Sequence, residues 1–275
     1  MPQPVLFAFL LTLFAGLSTG VGSCLAFFVK KSNTSFLSFG LGLSAGVMVY
    51  ISFVEILQES KETLGMLYGL RAGSWIAVGS FFLGFAITAL IDKLIPEYEN
   101  PHEARSEHDL NLLKRGDAAE TSSSESLKRT GVLTALAIAI HNFPEGLVTF
   151  LAALVNPFFG ISIAVAVAIH NIPEGLSVSV PIFFATGSRK KAFAYSLLSG
   201  LAEPAGALAG YFILRPFLND GLIGILFGVI AGIMVFISFD ELLPTARKYA
   251  RGHTAIMGLV LGMAIMAVSL VLFMR

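Results

Sequence analysis

Apolar runs long enough to cross a bilayer, about 20 residues each, recur along the chain near residues 4–29, 36–58, 73–95, 130–154, 158–184, 191–214, 220–246 and 253–274. Short polar segments separate them, except for residues 96–129, a long stretch rich in Glu, Ser, Asp and Lys. The pattern predicts an all-α polytopic membrane protein with eight transmembrane helices. Residues 1–275 then form one transmembrane domain with a flexible cytoplasmic loop at about 96–129. The first run carries no basic start and ends at Lys30-Lys31, the reverse of the charge order in a cleaved signal peptide, so it reads as the first span. Eight crossings put both termini on one side. The first, third, fifth and seventh connections hold 14 of the 18 lysines and arginines, which makes those connections cytoplasmic and both termini external.

The runs also repeat. Ala45 to Leu57 in the second helix matches Ala231 to Leu243 in the seventh at nine of thirteen positions. His-Asn-Phe-Pro-Glu-Gly at 141–146 in the fourth is nearly duplicated as His-Asn-Ile-Pro-Glu-Gly at 170–175 in the fifth. Each matched pair is an odd number of crossings apart, so its members run in opposite directions. This predicts an inverted-topology repeat, helices 1–3 against 6–8 and helix 4 against 5, with the substrate site near mid-membrane where the repeats meet.

The duplicated hexapeptides are polar where lipid favours apolar residues. A helix turns about 100° per residue, so His141 and Glu145 share a face, as do His170 and Glu174. Pro144 and Pro173 withhold an N–H from the carbonyls of Ile140 and Ile169, and bare carbonyls at membrane depth must line a cavity or be buried in protein. Two imidazoles and two carboxylates suit Zn²⁺ and also Fe²⁺, Mn²⁺, Co²⁺ or Cd²⁺. Asn142 and Asn171 stand within a turn of Glu145 and Glu174, so the carboxylates could bridge two adjacent ions, one site rich in His and the other in oxygen. Glu203, beside Pro204 in the sixth helix, is a further intramembrane carboxylate that needs a partner, because an isolated charge there costs at least about 2.5 kcal/mol. Met48 and Met234 occupy equivalent repeat positions, each either an apolar packing residue or, in the case of Met48, a thioether donor. Glu55, Asp240 and Glu241 read either as solvated helix ends or as vestibule ligands, and His102 and His108 in the long loop are a weak metal-binding signal. Gly206 and Gly210 form a small-xxx-small pair suited to close helix packing.

Composition narrows the field. The chain is 55% hydrophobic and 13% charged, with zero formal net charge, against about 25% charged in globular domains. No basic tail or arginine-rich patch argues for nucleic acid. Cys24 is the only cysteine, which excludes an intrachain disulfide and a Cys-based metal site and disfavours soft Cu⁺; it is expected to be a small buried helix residue. No phosphate-cradling Gly-x-x-x-x-Gly-Lys-Ser/Thr is present, so ATP does not drive the process.

His141 to Gly146, His170 to Gly175, Gly200-Leu201-Ala202-Glu203 and Ser238-Phe239-Asp240-Glu241-Leu242-Leu243-Pro244 together resemble the ZIP (Zrt/Irt-like) family of metal transporters over the whole chain, and most closely its bacterial zinc-uptake members. The resemblance implies an inner or plasma membrane protein, often a homodimer in the lipid bilayer, that brings divalent cations into the cytoplasm. It implies a binuclear centre between helices 4 and 5. His141, Glu145, His170 and Glu174 match one site, Asn142, Glu145, Asn171, Glu174 and Glu203 match the other, and the helix-two methionine ligand of some members maps onto Met48. Asn171 stands where some members carry Asp, which removes a formal negative charge from the second site. The long His-rich loop and the His-Glu-x-x-His of the metalloprotease-like branch are absent.

The expected function is a secondary transporter or facilitator for divalent metals, Zn²⁺ foremost, with the metal as substrate and no cofactor. The alternatives are an intramembrane metal-dependent hydrolase or a non-transporting metal sensor. A hydrolase needs three protein ligands, an open position and a general base, and leaves the inverted repeat without a purpose. Metal binding to neutral His and ionised Glu competes with protons, so uptake is expected to weaken as pH falls below the histidine range.

Overall fold

Backbone groups in lipid must be satisfied within the chain, and a sequence with this many long apolar runs achieves that as helices. The computed structural model describes residues 3–26, 34–94 and 120–273, and among the described residues there is no strand. Eight of its helices are long and apolar enough to span a membrane. They are α1 (Gln3–Ala26), α2 (Thr34–Ile51, continuing through Ser52–Ile56 and Leu57–Tyr68), α3 (Leu70–Leu94), α4 (Glu120–Val155) and α5 (Pro157–Thr186). These are followed by α6 (Arg189–Gly200 and Ala202–Leu214), α7 (Asp220–Ile237, Ser238–Leu242 and Leu243–Lys248) and α8 (Thr254–Phe273). Local chemistry sets their starts. Asn156 accepts from the N–H groups of Phe158 and Phe159 just before Pro157, and Asn219 accepts from Leu222 N–H at 3.0 Å, both N-cap arrangements.

Two bounds differ from the hydropathy pattern. α2 runs on to Tyr68 instead of ending near 58, because Leu57, Ser60 and Leu64 face inward while Gln58 and Glu62 face out. The Ser60 hydroxyl donates to the Gly224 carbonyl at 2.7 Å and ties this extension to α7. α4 begins at Glu120 and not near 130. Of the expected loop, residues 96–119 lie outside the described residues, and so do His102 and His108.

The packing has the symmetry of an inverted repeat. α1 packs on α5 and its counterpart α6 on α4; α2 packs on α8 and its counterpart α7 on α3. The aligned glycines Gly46 and Gly232 sit against the carbonyls of Leu259 and Phe81 respectively, so close that a Cβ at either would collide. Both aligned segments also widen into one π-helical turn at the same register, Ser52–Ile56 in α2 and Ser238–Leu242 in α7. In each the N–H of the following leucine, Leu57 or Leu243, donates to the serine carbonyl. Between the repeats lies the main apolar core, with Met48, Val148, Val167, Phe227 and Met234 fully buried or nearly so. Cys24 is exposed, contrary to expectation. α1 is buried along Ala15, Thr19 and Gly22, and at 100° per residue Cys24 points away from that stripe.

Candidate metal centre

α4 and α5 stay helical through Pro144 and Pro173, which keeps His and Glu one turn apart in each. Two glycines let neighbouring backbones close in on them. Gly146 lies against the Glu203 carbonyl of α6 and Gly175 against the Thr19 carbonyl of α1, leaving no room for a side chain at either position. The result is a buried pocket. His141 is 4% exposed, Glu145 and Glu174 are each 1%, and His170 and Glu203 are 0%.

In that pocket the two copies of the motif converge. One donor atom from each of His141, Glu145, His170 and Glu174 lies within 4.8 Å of the other three. His141 Nε2 is 3.1 Å from Glu145 Oε1 and 3.5 Å from Glu174 Oε1, and His170 Nε2 is 3.1 Å from Glu145 Oε2. A tetrahedral Zn²⁺ with bonds of about 2.0–2.1 Å has ligand-to-ligand edges of roughly 3.3 Å, a spacing that these separations would fit. The His170–Glu145 contact is a hydrogen bond. His141 Nε2, Glu145 Oε1 and both Glu174 oxygens are buried and have no hydrogen-bond partner. Buried carboxylate oxygens without hydrogen-bond partners are costly, and a divalent cation among them would relieve that cost.

The other residues expected at the site take distinct places. Glu203, in the first turn after α6 is interrupted at Leu201, accepts a short hydrogen bond from Asn171 Nδ2, and its Oε2 has no partner. The interruption has a cause, because Pro204 cannot donate to the Gly200 carbonyl. Asn171 Nδ2 also donates to the Ala15 carbonyl at 2.9 Å, and Asn142 Nδ2 donates to the Ser199 carbonyl at 3.1 Å. Both asparagines keep a buried Oδ1 without a partner. Met48 is fully buried within the apolar core cluster. Glu241 is near enough for its charge to act on His141 and Glu174, whereas the charges acting on Glu55 are those of Glu59 and Glu62. Residue type alone did not separate these two repeat-equivalent glutamates; the fold does.

A family model described as ZIP Zinc transporter matches residues 3–270. The chain belongs to the ZIP family of zinc transporters. Relatives of this ZIP chain include proteins named zinc transporter ZupT. That of Clostridium perfringens is 61% identical, covering 98% of this chain and 96% of the relative. That of Chlorobium chlorochromatii is 55% identical (99% and 100%) and that of Streptococcus mutans 54% identical (99% and 100%). ZIP proteins are transporters and not enzymes, so the hydrolase alternative falls. The ZIP chain is a multi-pass membrane protein.

Proposed function

We propose that this protein is a secondary transporter that carries divalent cations, Zn²⁺ foremost, across the inner (plasma) membrane into the cytoplasm, with Fe²⁺, Mn²⁺, Co²⁺ and Cd²⁺ as further substrates. The observation that carries the reading is the meeting of His141, Glu145, His170 and Glu174, from two inverted copies of one motif, within 4.8 Å in a buried pocket. Two carboxylates offset the ion's charge, and the imidazoles replace water in its coordination shell, so an ion there is close to neutral at membrane depth. In this reading a second, oxygen-rich position adjoins the first, with Glu145 and Glu174 shared and Asn142, Asn171 and Glu203 completing it. Met48 is the candidate thioether donor. The excess of Lys and Arg in alternate connections supports cytoplasmic sides for those loops and external termini, and family likeness supports inward flux and a homodimer. The repeats support alternating access, each half adopting in turn the conformation of the other.

The test is initial ⁶⁵Zn²⁺ uptake into proteoliposomes, with Fe²⁺, Mn²⁺, Co²⁺ and Cd²⁺ as competitors, beside a His141→Ala/Glu174→Ala variant. Saturable uptake lost in the variant supports the proposal, and the competition order ranks the substrates. Tight binding without flux would favour a metal sensor.

A further inference from the structure

The contacts around the centre define a second register that relates α1 to α6. Gly22 lies against the Ile172 carbonyl and Gly206 against the Phe143 carbonyl; Gly175 lies against the Thr19 carbonyl and Gly146 against the Glu203 carbonyl. Asn171 donates to the Ala15 carbonyl and Asn142 to the Ser199 carbonyl. All three pairs agree on one alignment, Gly16 to Gly22 upon Gly200 to Gly206, and they place Thr19 where the opposite repeat has Glu203.

Glu203 reaches Asn171. Its counterpart Thr19 is fully buried, and its Oγ1 has no partner, as is also true of the fully buried Asn142 Oδ1. A threonine hydroxyl ends two bonds short of a glutamate carboxylate, about 2.5 Å less reach. The contact that Glu203 makes on one side therefore has no counterpart on the other, where the Thr19 and Asn142 oxygens are neutral and have no hydrogen-bond partner. Gly16 and Gly200 each sit against the other's carbonyl, which marks the level where α1 and α6 cross. Thr19 and Glu203 are each three residues beyond that crossing on antiparallel helices, so they lie on opposite sides of it, about 4.5 Å away along each helix. Thr19 is toward the end of α1 that leads to Lys30-Lys31, and Glu203 is on the side away from Arg189, Lys190 and Lys191.

We propose that Thr19 lines the cytoplasmic flank of the second, oxygen-rich position, next to Asn142, as a further neutral oxygen ligand for the divalent cation, with the Glu203 carboxylate on the external flank. This rests on the metal-transport reading. The ion meets a carboxylate where it is captured and neutral, weakly binding oxygens where it leaves, so the exchange of Glu for Thr between repeats favours release inward. Thr19 is then the affinity-determining residue of the exit side, and a carboxylate in its place would hold the ion back.

Thr19→Glu, Thr19→Val, Thr19→Ser and the swap Thr19→Glu/Glu203→Thr test this, using equilibrium dialysis of ⁶⁵Zn²⁺ with the purified protein and initial uptake in proteoliposomes. Thr19→Glu is expected to bind Zn²⁺ about tenfold more tightly and to transport at about one fifth or less of the wild-type maximal rate. The swap is expected to recover binding lost in Glu203→Thr. A Kd for Thr19→Glu within about twofold of wild type, or a swap that binds no better than Glu203→Thr, overturns the proposal. Should Thr19→Glu fail to elute as a folded species, Thr19→Val decides. A change of about threefold or more in KM or maximal rate, restored by Thr19→Ser, supports the site, and a smaller change refutes it. Wild-type protein without uptake in the same assay would instead overturn the transport reading.

Discussion

Glu145 is the residue on which both imidazoles depend, and replacing it with Gln separates binding from folding. Its two carboxylate oxygens each lie 3.1 Å from a different imidazole, His141 and His170, and it is 1% exposed. Gln keeps the shape, removes one negative charge and converts one donor oxygen into an NH₂ that cannot ligate a cation. Removing one partner of a buried charged pair costs about 3–5 kcal/mol, and each 1.4 kcal/mol is a factor of about ten. The Kd for Zn²⁺ is therefore expected to rise roughly 10²- to 10³-fold. In the metal-free protein Gln still fits the same space beside the two imidazoles and buries one charge fewer, so its own Tm is expected to hold. Thermal unfolding of the detergent-purified protein with and without Zn²⁺ reads both effects. At 100 times its Kd, Zn²⁺ stabilises wild type by about 2.7 kcal/mol, and Glu145→Gln at the same concentration shows almost none of that. A Zn²⁺-induced shift retained with a Kd within about threefold of wild type would refute the reasoning, and so would a collapse of the metal-free Tm.

Further expectations follow from other parts of the structure. Gly146→Val sets a side chain against the Glu203 carbonyl and is expected to cost about 1–3 kcal/mol from overpacking, seen as a lower Tm in size-exclusion-purified protein; an unchanged Tm contradicts the close approach. Ser60→Ala removes the 2.7 Å hydrogen bond to Gly224 and is expected to cost about 1 kcal/mol while KM for Zn²⁺ is unchanged. Uptake is expected to fall between about pH 7.5 and about pH 5.5, because protons compete for the neutral imidazoles a metal requires; a flat profile contradicts this. In a Cys24→Ser background, Glu62→Cys is expected to react with a membrane-impermeant maleimide from outside, and Arg251→Cys only after permeabilisation.

The spans were legible because lipid imposes length and apolarity on them, and the four-residue core of the centre because His and Glu recur at helical spacing in two copies. The extension of α2 escaped hydropathy because its buried Leu57, Ser60 and Leu64 alternate with charges. The paired π-helical turns have no local signature, although Ser52 and Ser238 open both. Cys24 was misplaced because an apolar helix does not show which of its faces meets protein and which meets lipid. The kinship of α1 and α6 rests on only three identities in seven positions, Gly16, Leu17 and Gly22 with Gly200, Leu201 and Gly206. Shared contacts across the centre, and not residue identity, reveal it. Glu241 likewise became distinguishable from Glu55 only when the fold placed its charge near His141 and Glu174.

The central claim is that both copies of the motif hold the same ion, and Zn X-ray absorption of the purified protein loaded with one equivalent of Zn²⁺ tests it most directly. His141→Ala and His170→Ala are each expected to remove one imidazole from the scattering shell around Zn²⁺, and the double variant to remove both. A spectrum unchanged by either substitution, or altered by only one of them, would contradict the shared centre.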